Sequence, residues 1–358
     1  MSHSNVLIVG GGCAGIAVAS RINNLKSDLS ISIIEPSEKS LYQAAWTLVG
    51  AGAYDVDNTI KPMSEVMPGY VKWIKEYAEE FMPDSNSVKT NNGTYTYDYL
   101  VVCPGLKLNF DGVAGLKEHL GKNNVCTNYS AEMATYTWDC LKNLDGGTLL
   151  FTEPPMPIKC AGAPQKIAYL AADHLKKKGK LDDSHLEFLC AKPVIFGVPH
   201  FQGPLNEICD SYGIKRSFQH NLVSVDGNAK EAVFKQSDKD GNTKEITKKF
   251  DFIHVTPPQT SPDFVKNSPL ADAGGWVDVD HKVGTLRHTK YENVYSLGDV
   301  MNAPNAKTGA AIRKQAPIVA HNIVKDIKKS SDSYRHYDGY GACPLTVAYG
   351  KVLSLIHI

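Results

Sequence analysis

Two groups of residues in this sequence have the types and spacing that chemistry requires. Gly10-Gly11-Gly12-Cys13-Ala14-Gly15 is a GxGxxG loop. Gly10 permits a tight turn, Gly12 lets backbone approach a pyrophosphate, and Gly15 allows close helix–strand packing. Glu35 follows 20 residues after Gly15, where a carboxylate can accept hydrogen bonds from a ribose diol. The second group centres on Cys160, between Lys159 and Lys166 and just before a predicted helix. Positive potential at such a place lowers a thiol pKa and favours the nucleophilic thiolate. Cys160 therefore reads as a redox nucleophile, with a buried spectator thiol as the structural alternative. Cys343, in the turn-rich Tyr337-Asp338-Gly339-Tyr340-Gly341-Ala342-Cys343-Pro344-Leu345, is undecided on its own.

The elements that must position the glycine loop are legible around it. Val6-Leu7-Ile8-Val9 is a short apolar run ending in glycines, the pattern of a buried parallel strand. Ile16, Val18, Ala19 and Ile22 recur at helical spacing, and Ile31-Ser32-Ile33-Ile34 is a second strand with Glu35 at its carboxyl end. The helix N-terminus offers free N–H groups and partial positive charge to phosphates. This unit identifies a dinucleotide site without separating FAD from NAD. Two later segments make that distinction. Tyr97-Asp98-Tyr99-Leu100-Val101-Val102-Cys103-Pro104-Gly105 resembles the strand that two-dinucleotide flavoproteins place between their FAD and second domains. Asn293-Val294-Tyr295-Ser296-Leu297-Gly298-Asp299 resembles their second FAD motif, whose Asp carboxylate binds the ribityl chain; a helix N-cap is the structural use of Asp299. FAD is the expected cofactor.

The expected fold is α/β, with two Rossmann-like domains of the glutathione-reductase kind and a discontinuous FAD domain. That domain takes residues 1–115 and 280–325; a second Rossmann-like domain takes 116–279 and carries Cys160; residues 326–358 form a short C-terminal segment carrying Cys343. In the second domain, the strand Thr148–Thr152 runs into Glu153-Pro154-Pro155-Met156-Pro157-Ile158-Lys159-Cys160. Prolines lack N–H donors and restrict the backbone, so no phosphate-cradling loop forms there. NAD(P)H is thereby excluded as the expected electron donor. Two separated cysteines on a flavoprotein lacking a nicotinamide loop suggest a dithiol/disulfide pair that feeds the flavin.

Bulk composition closes off other classes. Lys plus Arg and Asp plus Glu each number 38 in 358 residues, so no basic footprint suggests nucleic acid. No apolar run reaches the roughly 20 residues that span a bilayer, and Met1–Asn5 leads straight into a strand with no visible targeting segment. Eight cysteines without a CxxC pair argue against a disulfide scaffold and against a metal site. Cys13, Cys103, Cys140, Cys190 and Cys209 read as small core residues.

Over essentially its whole length the chain resembles the sulfide:quinone oxidoreductases, in particular the mitochondrial kind. The likeness rests on Tyr42-Gln43, Trp46–Gly52, Ile158-Lys159-Cys160-Ala161-Gly162-Ala163-Pro164-Gln165-Lys166, Ile195-Phe196-Gly197-Val198, His254-Val255-Thr256-Pro257-Pro258 and Gly275–Asp280. It implies that hydrosulfide attacks a Cys160–Cys343 disulfide, or a trisulfide form of it. Cys343 then holds a persulfide while the Cys160 thiolate attacks the flavin C4a position. The sulfane sulfur passes to a small acceptor such as glutathione or sulfite, and the electrons go to ubiquinone. The likeness adds Gln43 to Gly10, Gly12, Gly15, Glu35, Gly298, Asp299 and Lys307 as FAD-binding residues. Lys307-Thr308-Gly309 begins a predicted helix whose dipole, with Lys307, would favour an anionic reduced ring; a solvated surface lysine is the structural alternative. Lys166 would steady a thiolate or hydrosulfide.

The likeness also implies peripheral attachment to the mitochondrial inner membrane in a eukaryote, or to a bacterial membrane otherwise. Two departures stand out. Cys126 aligns with a third cysteine of bacterial-type members only, and a core thiol is the expectation. Leu353–Ile358 reads as a translated library adapter, so the membrane-docking end of the family is expected to be missing. The alternatives are a type II NADH:quinone dehydrogenase, which would need the second glycine loop, and a non-catalytic FAD-binding fragment.

Overall fold

The computed structural model describes residues 2–304 and 307–356, with only the backbone described for 354–356. Its first sheet is built outward from the strand Ser2–Val9, whose Val6, Leu7, Ile8 and Val9 are buried. Apolar side chains on both faces require cover on both, the condition of a central parallel strand. It pairs in parallel with Ile31–Ile34 on one side and Thr94–Val102 on the other. Lys72–Ile74 extends one edge in parallel, and Ser87–Thr90 and Ala78–Met82 extend the other as an antiparallel ribbon. Val294–Ser296 also lies parallel to Thr94–Val102, so the sheet draws strands from distant parts of the chain. The helix Cys13–Leu25 buries Ala14, Gly15, Val18, Ala19 and Ile22, and packs against the helix Gly309–Lys328.

A second, all-parallel sheet has the order Val125–Cys126, Phe252–His254, Gly147–Glu153, Ser184–Cys190 and Lys215–Phe218. The helix Ala163–Lys177 packs against this sheet, burying Ile167, Leu170, Ala171 and Leu175. An antiparallel sheet of His220–Asp226, Glu231–Ser237 and Thr243–Lys249 adjoins it. Among the described residues no helix is long and apolar enough to cross a membrane.

The segment around Cys343 is strand rather than turn. Ala342–Ala348 forms an antiparallel hairpin with Lys351–Ile356. It packs against the helix Ala163–Lys177 because Leu345 is fully buried in that helix's core cluster and Asp173 accepts the Tyr349 N–H at 3.0 Å. Met1, His357 and Ile358 lie outside the described residues. Cys103, Cys140, Cys190 and Cys209 are buried as expected, but Cys13 is exposed. It occupies the first turn of its helix, beside the glycine loop and short of the face that packs on the sheet. Cys126 is buried in a strand, and burial raises its thiol pKa well above the usual value.

Candidate active site

The glycine loop is shaped by contacts that side chains would destroy. Gly10 has φ +107°, and an added Cβ would lie 2.5 Å from the Cys103 carbonyl oxygen. At Gly15 an added Cβ would come 1.9 Å from the Gly10 carbonyl oxygen, which is possible only when the helix start and the strand end touch. Gly12 differs: nothing lies within 4 Å of its would-be Cβ, so its backbone borders open space. The Glu35 carboxylate accepts N–H bonds from Gly11 and Ser37, each at 2.8 Å, which aligns it beside the loop. An exposed backbone cradle at a helix N-terminus with an aligned acid fits the pyrophosphate and ribose of FAD.

Asp299 lies in the short 3₁₀ turn Gly298–Val300 rather than at a helix N-cap. Gly298 has φ +80°, and its would-be Cβ meets Ala14 Cβ at 3.4 Å, so this turn abuts the first helix. The Gly298 N–H donates to Gln315 Oε1 at 2.9 Å. Gln315 was not anticipated, since one glutamine inside an amphipathic helix carries no distinguishing signal. Lys307 is buried, not solvated. Its ammonium donates to the carbonyl oxygens of Asp299 and Met301 at 2.7 and 2.8 Å and lies over the Trp276 ring. Burial pulls its pKa down to about 8, while Asp299 works the other way. Lys307 thus braces the turn that presents Asp299. Thr308 caps the following helix by accepting the Ala311 N–H.

The second cluster meets the first across a backbone junction. The Cys160 N–H donates to the Lys307 carbonyl oxygen at 2.8 Å, within an isolated parallel bridge between Lys159 and Lys307. Lys159 reaches further: its ammonium contacts Gln43 Oε1 and lies 3.6 Å from Asp299 Oδ2. Lys159, Gln43 and Asp299 thereby converge. The sequence offered Lys159 only as a neighbour of Cys160, because nothing local indicates that it spans to residues 43 and 299.

Cys160 and Cys343, 183 residues apart in sequence, form a disulfide with Cα atoms 6.5 Å apart, inside the range such bonds require. Cys160 has φ +52°, an uncommon conformation for a residue with a Cβ. Gly162 makes the approach possible, since a Cβ there would lie 3.0 Å from Cys343 Sγ. Cys343 is buried and Cys160 half-buried. Lys166, one helical turn into Ala163–Lys177, directs its ammonium to Cys160 Sγ at 3.9 Å. Removal from water lowers the Lys166 pKa to about 8. Such a group can hold a sulfur anion or exchange a proton with it.

Residues 4–134 match the family model described as pyridine nucleotide-disulphide oxidoreductase. The mitochondrial sulfide:quinone oxidoreductase of Dictyostelium discoideum is 43% identical over 98% of this chain and 76% of its own length. That of Mus musculus is 39% identical over 98% of this chain and 77% of its own. The crystal structure of the sulfide:quinone oxidoreductase from Aquifex aeolicus superimposes with a TM-score of 0.83 at 24% identity, covering 99% of this chain and 87% of that one. At that identity the superposition speaks to the fold.

Proposed function

The chain belongs to the sulfide:quinone oxidoreductase family, and from that premise we propose that it oxidises hydrogen sulfide at the Cys160–Cys343 disulfide and delivers two electrons to a quinone. FAD supplies the two-electron carrier between sulfur and quinone. The residues that would hold it are Gly10, Gly12 and Gly15 at the pyrophosphate, Glu35 at the ribose, and Gln43, Gly298, Asp299 and Lys307 toward the ring. The observation that carries this reading is the disulfide itself, hydrogen-bonded through the Cys160 N–H to Lys307 of the FAD-side segment.

In the sulfur step, hydrosulfide attacks Cys343 Sγ, the Cys160–Cys343 bond breaks, and Cys160 leaves as a thiolate. The Lys166 ammonium stabilises that leaving sulfur, because a thiolate beside a cation is favoured over a thiol. Cys343 then carries a persulfide whose outer sulfur passes to a small nucleophile such as glutathione or sulfite. Ubiquinone is the proposed electron acceptor. The curated relatives named mitochondrial support a mitochondrial setting, and peripheral contact with the inner membrane would bring the protein to its quinone.

The test is anaerobic. FAD-loaded protein is mixed with sulfide or with NADH while flavin absorbance is followed, and a soluble quinone is then added. Sulfide should bleach the flavin, NADH should not, and quinone should restore the colour. Bleaching by NADH alone would overturn the proposal, and bleaching by neither would leave a protein that binds FAD without turning over.

A further inference from the structure

The proposed reaction opens and closes the Cys160–Cys343 bond once per turnover. Hydrosulfide attack breaks it, leaving a persulfide on Cys343 and a thiolate on Cys160. Once the outer sulfur has passed to its acceptor, two thiolates remain, and they rejoin as their two electrons pass to the flavin. While the bond is open, only non-covalent contacts hold the hairpin of Ala342–Ala348 and Lys351–Ile356 so that Cys343 stays beside Cys160.

Those contacts converge on the helix Ala163–Lys177. Lys166 and Asp173 stand seven residues apart in it, about two turns, and so share one face. Lys166 serves the Cys160 sulfur, and Asp173 serves the hairpin. Asp173 Oδ2 accepts the Tyr349 N–H at 3.0 Å and lies 3.0 Å from the Lys177 ammonium. Asp173 Oδ1 lies 3.3 Å from the Tyr212 hydroxyl, which is also 3.3 Å from the Val347 carbonyl oxygen. Lys177 lies over the Tyr349 ring, and the Tyr349 hydroxyl donates to the Ala51 carbonyl oxygen. Val347 and Tyr349 follow Cys343 along the strand and into its turn, with the fully buried Leu345 between.

An acid buried inside a helix needs such partners. Asp is a poor helix former, and an unpaired buried charge is costly. Asp173 is 9% exposed. Desolvation pushes its carboxyl up, but the Tyr349 N–H, Lys177 and Tyr212 together hold it below the usual carboxylate range, so it stays charged at neutral pH. A carboxylate accepts stronger hydrogen bonds than a neutral group, and the N–H it holds belongs to the turn of the hairpin that the broken disulfide releases. On the sulfide:quinone oxidoreductase reading, we infer that Asp173 is a positioning residue of the sulfur half-reaction. It clamps the Cys343 hairpin to the helix that also serves Cys160, and so keeps the two sulfurs within reach while their bond is open.

The test begins with the FAD-loaded full chain in a Cys160→Ser background, where Cys343 is a free thiol and no disulfide can close. Iodoacetamide labelling of each cysteine is followed by peptide mass spectrometry, with Asp173 intact, Asp173→Ala or Asp173→Asn. Cys343 is 1% exposed and reacts when the hairpin lifts, so its labelling rate tracks the lifted population. Asp173→Ala should raise that rate about 10- to 100-fold, the effect of losing hydrogen bonds to a charged group. The buried Cys126, Cys190 and Cys209 should keep their rates, and Asp173→Asn, which retains an acceptor oxygen, should fall between. With Cys160 restored, Asp173→Ala should lower kcat several-fold and leave kcat/KM for sulfide within about twofold, because sulfide meets a hairpin still tied down by its disulfide. An unchanged Cys343 rate, a rise shared by all the buried cysteines, a wild-type kcat, or equal losses in kcat and kcat/KM overturns the inference. Should Asp173→Ala fail to load FAD, Asp173→Asn and Tyr212→Phe decide, each expected to speed Cys343 labelling about 2- to 10-fold; no acceleration in either overturns it. The labelling needs no sulfide. A wild type that fails to bleach with sulfide overturns the activity reading and the role in turnover together, whereas bleaching without faster labelling in Asp173→Ala removes Asp173 alone.

Discussion

Lys166 keeps its ammonium 3.9 Å from Cys160 Sγ, and its pKa falls from the usual 10.5 to about 8 through desolvation. Each pKa unit is worth about 1.4 kcal/mol, so the charged form costs the fold roughly 3 kcal/mol, or about 2 once the side chain's residual exposure is allowed for. Lys166→Met keeps the apolar stem and removes the charge. Its expected effect at neutral pH is a gain of about 2 kcal/mol, visible as a Tm higher by a few degrees. The pH dependence has a definite sign. Between about 8 and 10.5 the unfolded chain binds more protons at this lysine than the folded one, so wild-type stability rises with pH across that window. Below about 8 the full cost is present, and above 10.5 it is gone. The stability gap between Lys166→Met and wild type should therefore close over the same window. Catalysis should move the other way. A hydrogen bond to a charged group contributes about 1.5–3 kcal/mol, so flavin bleaching by sulfide should slow by about 10- to 100-fold. Thermal unfolding across pH and anaerobic stopped flow check both halves. A variant that is no more stable than wild type and bleaches at the wild-type rate would refute the assignment of Lys166 as a desolvated cation serving sulfur.

Replacing either Cys160 or Cys343 by serine should abolish bleaching by sulfide while FAD stays bound, and dithionite-reduced protein should still be reoxidised by soluble quinone. Gly15→Ala places a Cβ 1.9 Å from the Gly10 carbonyl oxygen; the purified protein should lose most of its flavin absorbance relative to protein absorbance. Cys126→Ala should retain sulfide oxidation within about twofold, because burial keeps that thiol protonated and inert; loss of activity in a folded, FAD-loaded variant would make Cys126 part of the redox machinery.

Much of the FAD half of the site was legible because its signals are local. Val6–Val9, Gly10–Gly15 and Glu35 lie within one stretch of chain, and the periods of strand and helix determine which side chains face the sheet. The loss of a second glycine loop was equally readable, since Pro154, Pro155 and Pro157 exclude a phosphate cradle through their own backbone chemistry. Cys160 and Lys166 could be marked as candidates by type and by the helix that follows them.

What joins these pieces was decided by packing. Cys343 looked like part of a turn, yet it begins a strand because Leu345 finds a buried place against Ala163–Lys177, and that docking sets its sulfur beside Cys160. Cys13 looked apolar and buried, yet its place at the mouth of the glycine loop leaves it exposed. Lys159 meets Gln43 and Asp299, and Lys307 turns inward to brace Asp299. Residue identity determined what chemistry each group can do: a thiol can be oxidised, a carboxyl can carry a proton, a glycine can admit a phosphate. Distance and desolvation determine whether it does so here, and both are properties of contacts between segments far apart in the chain.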